Sequence, residues 1–124
     1  MNALLLSLLL ASGQAGGPVV HATDVKSDAT DPLTDRFAEA LRKAIPKAKY
    51  MKPWSGDQAD DLYLAILFPV TEEGKRFTYA VDLMKAQELV TPERLASFTG
   101  TCRTAQVDAC AEGVVAKADK KAKD

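Results

Sequence analysis

Apolar residues recur along this chain in three rhythms. From Ala3 to Ala11 they run almost without interruption, Ser7 being the only polar residue, and none is charged. From Leu33 onward they fall three or four apart: Leu33, Phe37, Leu41, Ala44 and Ile45 share one side, while Asp35, Arg36, Glu39, Arg42 and Lys43 fill the other. That spacing predicts an amphipathic helix over 32–45. Asp31 suits the N-cap, and Pro32 suits the first helical position, where its missing N–H costs nothing. Glu39 and Lys43 add an i,i+4 pair. Pro46 disfavours helical geometry at Ile45 and ends the run.

From Asp61 the period becomes two. Leu62, Leu64, Ile66 and Phe68 alternate with Tyr63, Ala65 and Leu67, predicting a strand over 61–68 with both faces at least partly covered. Pro69 stops it, and Thr71-Glu72-Glu73-Gly74-Lys75 reads as a turn in which Gly74 takes a positive φ. A return strand over 76–84 puts Phe77, Tyr79, Val81 and Leu83 on one face, completing an antiparallel hairpin. After a connection ending at Pro92, a third strand is expected over 94–102. Thr104 then caps a last helix whose inner side is Val107, Cys110, Ala111, Val114 and Ala118. Gly113 weakens that helix, and Lys117, Lys120, Lys121 and Lys123 suit its C-terminal end. Residues 23–30 are polar and aperiodic and read as a flexible lead. Residues 47–60 read as loop, with Tyr50-Met51 pairing briefly at a sheet edge. The expected fold is therefore α+β, in the order α-β-β-β-α. A three-stranded antiparallel sheet carries both helices on one face in a single domain over 31–118, followed by a frayed basic tail over 119–124.

The first rhythm is too short for a bilayer span, which takes roughly 20 residues, and matches the apolar region of a signal peptide. Small residues follow, and Val20-His21-Ala22 offers a cleavage site after Ala22; Gly13-Gln14-Ala15 offers a second. Met1-Asn2 lacks the usual basic start. Residues 1–22 are thus expected to be removed on export to the periplasm or medium, leaving no stable transmembrane segment.

Composition narrows the chemistry. Sixteen Lys and Arg oppose seventeen Asp and Glu, a net charge of −1, so nothing in the overall charge points to nucleic acid. The only histidine is His21. Its loss with residues 1–22 would exclude histidine-based catalysis, zinc ligation and pH switching. Cys102 and Cys110 are the only cysteines, and an even pair in a small exported chain predicts a disulfide. A redox dithiol is the less favoured alternative, since such pairs usually have two intervening residues.

The strand-end Thr99-Gly100-Thr101-Cys102 followed by Cys110 in an alanine-rich helix resembles a pattern in small uncharacterised exported proteins of proteobacteria. The likeness runs from the hairpin to the last helix. It implies a periplasmic location and this order of elements, and no activity. Arg103 stands where that pattern has an aromatic residue.

The remaining candidates are surface features. Arg42, Lys43, Lys47, Lys49 and Lys52 interleave with Tyr50 and Trp54, a stretch suited to an anionic partner. The bland counterpart is a solvated helix end with Trp54 on the core. Helix–strand–strand–strand–helix is also the order of double-stranded RNA-binding domains, but Thr104-Ala105-Gln106 lacks their basic cluster. Asp57, Asp60 and Asp61 lack calcium-loop spacing. Asp82 with Glu88 or Glu93 would permit paired-carboxylate chemistry, although Asp82 is expected on a solvent face. Ser27, Ser55 and Ser97 lack a nucleophile context. No metal or cofactor is expected. The expected function is non-catalytic binding of an envelope protein or anionic envelope component. The alternatives are an inhibitor of a secreted hydrolase, presenting the 85–93 connection or the 69–75 turn, and a small-molecule carrier.

Overall fold

A computed structural model describes residues 19–56, 61–87 and 89–123. The elements in chain order are β1 His21–Ser27, α1 Pro32–Ala44, a 3-10 turn Ile45–Lys47, β2 Met51–Pro53, β3 Leu62–Ile66, β4 Thr71–Glu73, β5 Arg76–Lys85, β6 Glu93–Arg103, a 3-10 turn Thr104–Gln106, and α2 Val107–Ala122.

Helix α1 begins as its sequence requires. The Asp31 carboxylate accepts from the Thr34 N–H at 3.0 Å and from the Thr34 hydroxyl at 2.9 Å. Thr34 is fully buried, and its hydroxyl oxygen also accepts the Val70 N–H at 3.0 Å. One side chain therefore ties the helix start to the segment between β3 and β4. Its C-terminal end falls at Ala44, and the chain tightens into the 3-10 turn that contains Pro46.

The sheet is larger than expected and mixed rather than purely antiparallel. Six strands lie in the order β2-β1-β3-β5, with β4 and β6 also on β5. β1 runs parallel to both β2 and β3, and α1 carries the chain from β1 to its parallel neighbour β2, a β-α-β unit. Residues 23–30, expected as a flexible lead, supply most of β1. Its alternation was hidden because one inward position is Thr23, a polar type, beside Val25. The Thr23 hydroxyl is satisfied by the His21 carbonyl at 2.9 Å. The second missed strand, β4, is Thr-Glu-Glu and wholly exposed, so no hydrophobic pattern marks it. It pairs with the start of β5 across Gly74-Lys75, where Gly74 has φ +65°. Tyr50-Met51 leads into β2, the expected edge pairing.

A cut after Ala22 would fall inside β1. The His21 N–H donates to the Tyr50 carbonyl at 2.9 Å, and the Ala22 carbonyl accepts from the Asp61 N–H at 2.8 Å. Ala22 itself is buried. Residues 1–18, including the apolar run and the Ala15 site, lie outside the described residues.

One face of the sheet is covered. Val25, Leu62, Leu64, Ile66, Phe77, Val81 and Leu83 meet Phe37, Leu41 and Ala44 of α1 and Ala111, Val114 and Ala118 of α2 in one core. Phe37 stacks edge-on against Phe77 at 5.6 Å and lies 5.1 Å from the Tyr79 ring. Tyr79 in turn lies across Gly100: a Cβ there would stand 2.6 Å from the Tyr79 hydroxyl oxygen, so β6 needs glycine at this place. The opposite face is open. Tyr63 is half-buried there under the Lys26 ammonium, 4.2 Å from its ring centre, and Leu67 is exposed.

Cys102 at the end of β6 is bonded to Cys110 in the first turn of α2. Between them the chain makes the 3-10 turn, and the Thr104 N–H goes to the Lys75 carbonyl. Thr104 is therefore not the helix cap. Gln106 holds that position without a side-chain bond. At its far end α2 runs on to Ala122, which is buried, so most of the expected frayed tail is helix. Among the described residues no helix is long and apolar enough to cross a membrane.

Three outcomes follow for stability. Thr34→Val leaves the Val70 N–H buried without a partner and should lower unfolding free energy by about 2 kcal/mol in urea titration. The hydroxyl and N–H of Thr34 hold the Asp31 carboxyl below its ordinary range. Its stabilising contribution is thus complete above the unfolded value, about 4, and is lost as pH falls through the folded one; Asp31→Asn should make the acid limb shallower. Reducing Cys102–Cys110 should cost about 2.5 kcal/mol by loop-closure entropy, read as a shift in the denaturation midpoint.

Candidate functional site

The basic stretch from 42 to 54 does not form one surface. Arg42 turns to the end of β1, donating to the Val25 carbonyl at 3.1 Å, and pairs with Glu39 at 2.9 Å. Lys43 lines the cleft between the start of α2 and the outer side of α1, with Asp35, Arg36 and Glu39. Lys52 is exposed on β2, and Trp54 is half-buried, its N–H bonded to the Thr23 carbonyl at 3.1 Å. Lys47, Lys49 and Tyr50 come together, and they do so against α2.

Those three residues line a groove of about 600 Å³ with Glu112, Asp119, Lys120 and Lys123. Its floor is Ala44, Ala48, Val115 and Ala116. The Asp119 carboxylate accepts the backbone N–H groups of Lys49 at 2.9 Å and Tyr50 at 2.8 Å. Glu112 pairs with Lys47 at 2.7 Å. Both acids at the groove are therefore engaged. Among the described residues Lys49, Lys120 and Lys123 make no salt bridge. The result is a small apolar floor under a rim on which four ammonium groups outnumber two carboxylates, which suits an anionic group carried on an apolar or sugar-like body.

The sequence marks Lys120 and Lys123 only as basic residues suited to the helix C-terminal end. Their i,i+3 spacing puts them on one side of α2, a signal that identifies the side but not what faces it.

The other sequence candidates separate. Asp57, Asp60 and Glu88 lie outside the described residues. Asp61 pairs through its carboxylate with Nδ1 of His21, at the start of β1. The cavity beside them, about 360 Å³, is lined by Leu62, Lys85, Glu93, Leu95 and Lys121, and among the described residues it presents no Ser, Thr or Cys to a His–Asp pair. Asp82 does lie on the open face, but it is buried rather than solvated. The Ser97 hydroxyl donates to it at 2.6 Å, and Arg94 approaches its other oxygen at 3.8 Å. The bulge in β6 opposite Leu83/Met84 is what turns Arg94 to that face. Glu93 is exposed and paired in register with Lys85, away from Asp82. Among the described residues no three of His, Cys, Asp and Glu converge as a metal site would require.

Asp119→Ala should loosen the 48–50 segment and cost about 1 kcal/mol, because it strands two N–H groups that are partly solvated. Protection of the Lys49 and Tyr50 amides in hydrogen exchange should fall with it. No protein-family model matches the chain, and no curated protein matches it.

Proposed function

We propose that the chain is an exported, non-catalytic protein that binds an anionic component of the cell envelope in the groove between the 47–50 segment and α2. The observation that carries this reading is the groove's charge: Lys47, Lys49, Lys120 and Lys123 line it against two carboxylates, Glu112 and Asp119. Binding of this kind is electrostatic at the rim and weakens with salt. Immobilised dextran sulfate should retain the protein and uncharged dextran should not. Lys49→Glu with Lys120→Glu should abolish retention at unchanged stability. Equal retention of the double variant would overturn the assignment to this groove.

The disulfide suits an oxidising compartment. The place of β1 supports removal of the leader at Gly13-Gln14-Ala15 rather than after Ala22, since the second cut would delete the strand's first two residues. The intact mass of the exported protein should correspond to a chain beginning at Gly16. A chain beginning at Thr23 would refute this.

One observation favours inhibition of a secreted hydrolase as a second reading. Leu89, in the connection between β5 and β6, holds φ +64°, a conformation costing a non-glycine residue roughly 1 kcal/mol, and its side chain is fully exposed beside exposed Val90. Two exposed apolar side chains at a loop tip match the chemistry of an apolar protease subsite. Leu89→Asp should remove any inhibition while leaving retention on dextran sulfate intact.

A further inference from the structure

β6 is the longest strand and lies at the edge of the sheet. It has eleven residues, all but the bulged Leu95 in register with β5, and among the described residues nothing pairs with its outer side. Long edges are usually blunted by a proline, a charge, a bulge or shortness. The opposite edge obeys this rule: β2 has three residues and ends at Pro53. β6 does not. From Leu95 to Cys102 it contains no proline and no charged residue, and its one bulge lies at the N-terminal end. Leu95, Ala96 and Phe98 pack on the core yet stay half-exposed, because the sheet stops beside them.

The ends of the strand carry opposite charges. Glu93 opens it and Arg103 closes it, both exposed. Among the described residues neither makes a salt bridge. Arg94 is already turned to Asp82. Antiparallel pairing of two such strands about their middle lays the Arg103 end of one copy beside the Glu93 end of the other, twice by symmetry. Parallel pairing would set like charges together.

We infer that β6 is the self-association edge of this protein, joining antiparallel to β6 of a second copy across a two-fold axis. The contact is isologous and therefore closes as a dimer. Phe98 and Leu95 of both copies become covered, and the outward backbone groups of residues 96–102 gain partners. The sheet becomes continuous through both protomers, with the two lysine-rimmed grooves left outside the contact.

The test is multi-angle light scattering after gel filtration of the purified oxidised chain over a concentration series, with hydrogen exchange at the same concentrations. The expected result is a dimer at high concentration, with the outward amides of 96–102 protected only in the dimer. Glu93→Arg should weaken dimerisation about tenfold, since two contacts turn from attractive to repulsive. Glu93→Arg with Arg103→Glu should restore it. Thr99→Lys, an exposed substitution that leaves the core untouched, should abolish it. A monomer at every concentration, a dimer indifferent to Thr99→Lys, or open-ended oligomers would each overturn the inference.

Discussion

The peptide of Tyr50 is held from two sides. Its N–H, with that of Lys49, goes to the Asp119 carboxylate of α2, and its carbonyl accepts the N–H of His21 at the start of β1. These bonds join the last helix, the link after α1 and the parallel half of the sheet at one point. A buried or half-buried backbone group left without a partner costs about as much as a lost hydrogen bond. The segment 48–50 therefore cannot leave this place without stranding three N–H groups. The groove exists because this segment is pinned against α2, and β1 is kept in register because the same segment leads into β2.

The groove's electrostatics are a consequence of the same bonds. Asp119 keeps its charge, but its oxygens are turned to two backbone donors rather than to a lysine ammonium. Glu112 is occupied by Lys47. What remains is a positive rim on a protein whose net charge is −1. Local charge here is set by which side chains the fold gathers: Lys47, Lys49, Lys120 and Lys123 against Glu112 and Asp119.

Much of the core was legible. The three-and-four spacing of Leu33, Phe37, Leu41 and Ala44, with Asp31-Pro32 before it, predicted α1 to within one residue at its end. Alternation gave β3, β5 and most of β6, because their inward positions are aliphatic or aromatic and contrast with their neighbours. β1 and β4 gave no such contrast. β1 buries a threonine whose hydroxyl is satisfied by its own strand, and β4 buries nothing. Their existence follows from backbone pairing with distant strands, which a local pattern does not record. Thr104 failed as a cap for a related reason: its N–H is taken by Lys75 across the hairpin, and the chain enters the helix through a tighter turn.

The sequence by itself determined the amphipathic helices, the hairpin and the pairing of its only two cysteines, because each depends on residues close in the chain or on elimination. Tertiary structure alone decided that the sheet has six strands, that its parallel half begins at His21, and that Asp82 is buried. It also divided the basic stretch, sending Arg42, Lys43 and Lys52 to separate surfaces and bringing Lys120 and Lys123 to Lys49. Those outcomes rest on hydrogen bonds and contacts between segments some seventy residues apart, such as Lys49 with Asp119, and no local periodicity encodes which distant partner a polar group will find.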